Sequence, residues 1–149
     1  HMAKANPQWK SVTEYPSLVI FQGPHTYISP NWYETHPSVP TWNYTVVHAY
    51  GTPRLIDDAN VVQAMLAKLV KYHEAGFSPA WQMNLPGDYL HTMLQAIVAF
   101  EIPITRLEGK FKLSQNRSQE DQAHVTEALA NSTYPPDREV SALMQRSTK

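Results

Sequence analysis

Cysteine is absent from this chain of 149 residues, which excludes disulfide bonds, thiolate metal sites and cysteine nucleophiles. Long apolar runs are also absent, and no stretch approaches the ~20 residues needed to cross a bilayer. The N-terminus has no charged segment followed by an apolar one, as a secretory signal would have. We therefore expect a cytoplasmic protein without a membrane partner.

Net charge is small as well. The formal net charge is −1 and the pI is near 6.7, whereas proteins that bind DNA through its phosphates usually carry a basic face. The densest basic group, interrupted by Glu108, consists of Arg106, Lys110, Lys112 and Arg117. Composition therefore does not support DNA as a partner, although a weak or regulated contact stays open.

The first half of the chain has the pattern of strands and turns. Residues 17–22 are β-branched and aromatic and predict a strand that ends in a turn at Gly23-Pro24. Residues 25–29 resume an extended pattern. Residues 41–50 are the strongest strand candidate, and neither of their alternating faces is plainly polar. We therefore expect this strand to be covered on both sides.

The second half is mostly helical in pattern. Asp57 or Asp58 can cap a helix that runs to about Ala75, and Asp88 can cap a second one. The first helix has a predicted buried stripe of Val62, Met65, Leu66, Leu69 and His73. The second carries Leu90, Met93, Leu94, Ile97 and Val98.

A strand over residues 102–113 is predicted next, followed by a helix that Ser118 opens and that runs toward Leu129. Pro135-Pro136-Asp137 should then break the chain before a short terminal helix. The prediction is one α+β domain over residues 1–149. Its parts are strands and loops (1–56), two helices (57–100), a returning strand (101–117) and C-terminal helices (118–149).

Familiar catalytic and nucleotide-binding motifs are missing, including GxGxxG, the Walker loop, the nucleophile elbow and HExxH. His25, His36 and His48 are too far apart in sequence for a local chelate, so ordinary strand and loop histidines are favoured over a metal site. His25 and His48 are also the nearest candidates for acid–base chemistry. Whether the protein is an enzyme stays open on this pattern.

Three segments have polar or aromatic residues suited to a ligand. Residues 21–33 are dense in aromatics, which suits a planar heteroaromatic ligand but suits core packing better. Asn43 lies between two aromatics, and its amide needs a partner, either backbone or the edge of a ligand. Residues 112–117 precede a helix start, where an anion is favoured, but they also fit an ordinary loop.

Four segments together resemble the PaiB family of FMN-binding negative transcriptional regulators. They are Ala5-Asn-Pro-Gln-Trp9, Phe21-Gln-Gly-Pro-His-Thr-Tyr-Ile-Ser-Pro30 with Trp32-Tyr33, Val39-Pro-Thr-Trp-Asn-Tyr44 with Val47-His48 and Tyr50-Gly51, and Glu101-Ile-Pro-Ile through Arg117. The resemblance implies an FMN-binding split β-barrel with peripheral helices, in a homodimer that holds FMN at the subunit interface. Family members have additional strands upstream, so it also implies that this chain lacks its N-terminal strands.

The resemblance further implies a set of flavin-binding residues. Lys4, just before Asn6-Pro7, would bind the flavin phosphate, and Tyr27 and Ser29 would lie beside the flavin. Trp42 and Asn43 would contact its face and edge, while Gln115 and Asn116 lie in the matched Lys-Leu-Ser-Gln-Asn-Arg motif. The function implied is transcription regulation by a flavoprotein repressor. A flavin-dependent oxidoreductase and a haem-binding relative of the same fold are the alternatives.

Overall fold

The structure, a computed structural model, describes residues 1–147. Their contacts define two compact units, which we describe separately: unit 1 comprises residues 1–18 and 50–105, and unit 2 comprises residues 19–49 and those from 106 onward. The described residues form two antiparallel three-stranded sheets, neither of them closed on itself, and four helices. The predicted α+β class is confirmed. None of the helices in residues 1–147 has the length and apolar character of a membrane span.

The strands are β1 (Met2–Ala3), β2 (Ser17–Ile28), β3 (Thr41–Gly51), β4 (Arg54–Ile56), β5 (Ile97–Glu101) and β6 (Arg106–Lys112). The helices are α1 (Ala59–Glu74), α2 (Gly87–Gln95), α3 (Gln119–Ala130) and α4 (Pro135–Ser147). Short 3-10 turns at Pro7–Lys10 and Pro30–Trp32 follow β1 and β2.

Unit 1 contains the sheet β1-β5-β4 and helices α1 and α2. Asp58 caps α1 as predicted, because its Oδ1 accepts a hydrogen bond from the backbone N–H of Asn60 at 2.8 Å. The predicted buried stripe on α1 is wrong in its second half. Val62 is buried, but Leu69 and His73 are exposed.

The prediction of helix at Ile97 and Val98 is also wrong, because both residues lie in β5. Helix α2 ends at Gln95, and Ile97 and Val98 pair with β1 in antiparallel register. Their spacing from Leu94 fits a helix, but β-branched side chains fit a strand better once a partner strand is available. The strand predicted over residues 102–113 is shorter in the structure, because residues 102–105 lie between β5 and β6 and the strand runs over Arg106–Lys112.

Unit 2 is built on the sheet β2-β3-β6. The predicted turn at Gly23-Pro24 is wrong, because β2 continues through both residues. Since β2 is an edge strand, a proline without an N–H group is tolerated there. The prediction that β3 is covered on both sides is wrong at Trp42: Asn43, Thr45 and Ala49 are buried on one face, whereas Trp42 on the other face is 54% exposed and the remaining residues of that face are partly buried.

The core of unit 2 lies between this sheet and helices α3 and α4. Its buried members are Ile28, Tyr33, Leu113, Val125, Leu129, Val140 and Met144. Ser118 caps α3 as predicted, accepting a hydrogen bond from Asp121 N at 3.1 Å. The sequence predicted that Pro135-Pro136-Asp137 breaks the chain before the last helix, but α4 begins at Pro135 itself. Proline is tolerated in the first turn of a helix because backbone N–H groups there have no partner within the helix.

Gly23 is required by the close approach of β3. A Cβ built on Gly23 would overlap Oγ1 of Thr45, whereas Cβ of Thr45 is 3.5 Å away. We expect Gly23→Ala to lower the free energy of unfolding by about 1–3 kcal/mol, the usual cost of overpacking. The double variant Gly23→Ala, Thr45→Ala should recover most of that loss in urea denaturation.

The control is Gly76→Ala, because nothing lies within 4 Å of a Cβ at that position. It should leave stability unchanged or raise it slightly. If Thr45→Ala does not rescue Gly23→Ala, the close contact between these two residues is not the reason for the glycine.

Asp121 fastens the loop after Tyr33 to helix α3. Its Oδ1 accepts hydrogen bonds from the backbone N–H groups of Glu34 at 2.8 Å and Thr35 at 3.3 Å. Burial raises the pKa of Asp121, but the hydrogen bonds from Thr35 and Glu34 and the charge of Arg117 together lower it below its ordinary value of 3.8. A carboxylate with a depressed pKa stabilises the fold while it is ionised.

We therefore expect the stability due to the Asp121 carboxylate to be present above pH 3.8 and to be lost as the pH falls through the lower folded pKa. Asp121→Asn should lower the Tm at neutral pH, and the gap from the unsubstituted protein should narrow as the pH falls below 3.8. Differential scanning fluorimetry across pH 2 to 7 measures both. A gap that is constant over this range would show that ionisation of Asp121 contributes nothing.

Candidate functional site

The outer face of the sheet in unit 2 carries an exposed aromatic pair. Tyr27 on β2 and Trp42 on β3 have ring centroids 6.0 Å apart in an edge-to-face arrangement. Their side chains are 46% and 54% exposed, so each ring has about half of its surface open to solvent. His25 lies beside Trp42 with its ring centroid 6.4 Å away. An open aromatic face of this kind offers a flat apolar wall to a planar ligand.

Thr41 and Trp42 are both bonded to the end of β6. The Lys112 ammonium donates to Thr41 Oγ1 at 2.5 Å and to the carbonyl oxygen of Trp42 at 2.6 Å. Burial lowers the pKa of Lys112, and the charges of Lys110 and Arg117 lower it further. The lysine therefore acts within the fold, as a tie between β3 and β6.

Asn43 is fully buried, and its amide is satisfied by protein groups. Its Nδ2 donates to Ser114 Oγ at 3.0 Å, and Ser114 Oγ donates back to Asn43 Oδ1 at 3.2 Å. The amide nitrogen also lies 3.5 Å from Met144 Sδ. The sequence left backbone and ligand open as partners of this amide, and the partner that the structure shows is a third one, the Ser114 side chain.

The turn after β6 uses its polar residues internally. Gln115 Nε2 donates to the carbonyl of Phe111 at 2.7 Å, and Gln115 Oε1 accepts from Leu113 N at 2.7 Å. The Arg117 guanidinium lies 4.1 Å above the Tyr33 ring and donates to Ser38 Oγ at 3.2 Å. Asn116 is exposed. This arrangement is that of a structured loop, the alternative to an anion site.

The start of α3 is a poor place for an anion. Ser118 already caps the helix, and the acidic residues Glu120 and Asp121 occupy its first turn. Negative side chains at a helix N-terminus compensate the helix dipole and leave less of it for a ligand.

Ser29 is also a capping residue. Its hydroxyl accepts a hydrogen bond from Asn31 N at 3.2 Å and caps the 3-10 turn.

Lys4 and Asn6 belong to unit 1. Lys4 lines a cavity of about 270 Å³ together with Trp9, Asp57, Gln95 and apolar residues of β4, β5 and α1. Its carbonyl accepts from Trp9 Nε1 at 3.0 Å, and its N–H donates to the carbonyl of Ala96 at 2.8 Å. Asn6 caps the following 3-10 turn through Gln8 N at 3.0 Å. The lining thus includes one lysine, one aspartate and mostly apolar residues.

Two features of the site had no clear signal in the sequence. Among residues 1–147, Ser114 is the one non-glycine residue with a positive φ, at 64°. Nothing in the sequence Leu113-Ser114-Gln115 predicts this left-handed conformation. The tie from Lys112 to Thr41 joins residues 71 positions apart, and a single sequence shows nothing of such a pairing.

His25, His36 and His48 do not form a cluster with other candidate ligands within the part of the chain that the structure describes.

The family comparison adds the cofactor. A family profile described as "Putative FMN-binding domain" matches residues 1–106, which contain both units' strands up to the start of β6. FMN is therefore the cofactor of the matched family, as the resemblance implied. Gln115 and Asn116 lie outside the matched range.

Curated relatives extend the match along the chain. "Protease synthase and sporulation protein PAI 2" of Bacillus subtilis (strain 168) is 36% identical over 150 residues, which cover 100% of this chain and 72% of that protein. "Uncharacterized protein AN0679" of Emericella nidulans is 34% identical over 163 residues, covering 88% of this chain and 65% of that protein. "Uncharacterized protein YKL070W" of Saccharomyces cerevisiae is 40% identical over 80 residues, half of this chain and 47% of its own length.

The geometry of Asn43 leads to a direct test. We expect Asn43→Ala to lower the free energy of unfolding by about 1–3 kcal/mol, since Ser114 loses its buried partner. Urea denaturation of Asn43→Ala, Ser114→Ala and the double variant checks this. The two losses should be strongly non-additive if the residues act as one pair. Additive losses would contradict the pairing.

Proposed function

The chain belongs to the PaiB family of FMN-binding domains, and from this premise we propose that it binds FMN as a cytoplasmic homodimeric regulator that represses transcription. The observation that carries the proposal is the exposed Tyr27–Trp42 pair, which lies in the matched range and has the chemistry that a flavin ring requires. Bound FMN would supply the redox chemistry of its ring system.

The residues of unit 2 fit one side of such a ligand. Tyr27 and Trp42 would hold a ring by face and edge contacts, and their half-exposed surfaces would become covered. His25 lies next to Trp42 and would border the same ligand. These contacts provide one wall. Ligand sites usually bury most of the ligand surface, so a second wall is required.

We propose that a second copy of the chain supplies this wall. Large apolar side chains on the same sheet remain exposed: Phe21 is 59%, Leu107 63% and Phe111 54% exposed. Exposed apolar patches on a folded protein usually mark an interaction surface. Covering them in a homodimer, in a split β-barrel arrangement, would remove this surface from water and close the site around the flavin.

A second candidate contact for FMN, with its phosphate, is Lys4 in unit 1. Its cavity of about 270 Å³ is smaller than a typical pocket for a whole cofactor, about 300–1,000 Å³. The Lys4 ammonium would suit a phosphate group, whereas Asp57 in the same cavity opposes an anion. We therefore propose Lys4, with Asn6 shaping its turn, as a phosphate contact of lower importance than the aromatic pair.

Direct DNA contact receives little support from the described residues. Of the four basic residues in the densest group, Arg106 pairs with Glu108 at 2.9 Å, Lys112 bonds within the sheet, and Arg117 lies over Tyr33. The relative from B. subtilis is named "Protease synthase and sporulation protein PAI 2", and a regulatory role is consistent with the sporulation in that name. We propose that repression acts through flavin state or a protein partner.

The cofactor test is an absorption spectrum of the purified protein before and after incubation with FMN and desalting. Flavin bands near ~450 nm should survive desalting. Trp42→Ala should raise the Kd for FMN about tenfold, which corresponds to about 1.4 kcal/mol. Trp81→Ala, which alters a 48% exposed tryptophan in unit 1, is the matched control and should leave the Kd unchanged.

Other outcomes would redirect the proposal. A red-brown protein with a Soret band would favour the haem-binding relative. Oxidation of a nicotinamide by the FMN-loaded protein would favour the oxidoreductase. Equal losses of FMN affinity in Trp42→Ala and Trp81→Ala would show that the aromatic pair is not the site. A monomer in sedimentation analysis, with and without FMN, would contradict the homodimer.

A further inference from the structure

The polar residues around Trp42 form a connected set that the candidate flavin contacts do not use. Thr41 and Asn43, one on each side of Trp42, are both bonded to the segment from Lys112 to Ser114. The carbonyl of Trp42 itself accepts from Lys112. Three successive residues of β3 are therefore held by the end of β6, although the Trp42 ring points to the opposite, open face.

We propose that Asn43, Ser114 and Lys112 are positioning residues for Trp42, and that the pair of Asn43 and Ser114 is the central element. This inference rests on the proposed function, because it explains how an exposed tryptophan is held ready for a flavin ring. Asn43 then acts through Trp42 rather than by touching the ligand, which its complete burial prevents.

The backbone conformation of Ser114 supports a role in positioning and not only in filling the core. A serine at φ 64° lies in the left-handed region, which L-residues with a Cβ seldom adopt. The two hydrogen bonds with Asn43 hold it there, and Arg117 N donates to its carbonyl at 2.9 Å to complete the turn. Ser114 lies between Lys112, which bonds to the carbonyl of Trp42 on β3, and Arg117, which lies over the Tyr33 ring.

Replacing Ser114 in two ways separates its hydroxyl from its backbone conformation. Ser114→Gly removes the hydroxyl but adopts a positive φ readily, so the turn should persist. Ser114→Ala removes the hydroxyl and keeps a Cβ that disfavours this φ. Ser141→Ala is the matched control, because Ser141 is equally buried in unit 2 and donates to the Thr126 carbonyl at 2.8 Å, away from β3.

The readout does not depend on FMN. The protein labelled with 5-fluorotryptophan has four fluorine resonances, for Trp9, Trp32, Trp42 and Trp81, and Trp42→Phe assigns the one of interest. In Ser114→Gly we expect the Trp42 resonance to shift and to broaden about twofold, as a ring that exchanges between positions would. The other three resonances should stay as in the unsubstituted protein. Ser141→Ala should leave all four unchanged.

FMN titration of the same variants tests the link to function. With the proposed function correct, Ser114→Gly should raise the Kd for FMN about tenfold and Ser141→Ala should not. A Trp42 resonance that changes while the Kd for FMN does not would support the positioning role and overturn the flavin site. An unchanged Trp42 resonance in Ser114→Gly, or equal changes in all four resonances, would overturn the positioning role itself.

Discussion

The buried amide of Asn43 is the constraint around which unit 2 is organised. An amide carries two donors and an acceptor, and leaving them unbonded in a core costs more than a hydrogen bond returns. Here the amide meets one hydroxyl that both accepts and donates. That hydroxyl can reach Asn43 because Ser114 adopts a left-handed conformation, and the same turn passes from β6 toward α3. This polar pair thus ties β3 to the turn that leads from the sheet to the helices of unit 2.

Much of what resembles ligand chemistry in the sequence serves the fold. The motif from Lys112 to Arg117 has the composition of an anion site, yet Lys112, Gln115 and Arg117 all bond to neighbouring protein groups. The acid at the start of α3 likewise holds a loop rather than a ligand. Polar residues near a chain reversal must satisfy backbone groups first, so composition alone could not distinguish the two uses. Contacts could.

Helices α1 and α3 were predictable from their capping residues, Asp58 and Ser118, because capping is a local interaction. The prediction that Asp88 caps the second helix is wrong, because α2 begins at Gly87 after Pro86 and has no side-chain cap. The strands were less predictable. Whether Gly23-Pro24 forms a turn or continues β2 depends on β2 being an edge strand beside Thr45, and whether Ile97 is helical depends on β1. In both cases the secondary structure is determined by contacts with residues that are distant in sequence. The resemblance could indicate Trp42 and Tyr27 as site residues, but their burial and their neighbours required the structure.

The two faces of β3 differ in burial, and the proposed binding surface lies on the exposed one. Asn43 and Thr45 point inward and are almost fully enclosed, while Trp42 points outward and is about half exposed. Because side chains alternate along a strand, adjacent residues can serve opposite purposes without competing for space. Inward polar bonds then restrict the backbone of β3, and the restricted backbone limits where the Trp42 ring can lie. An open aromatic surface can in this way be ordered before a ligand or a second subunit covers it, which lowers the entropy lost on binding.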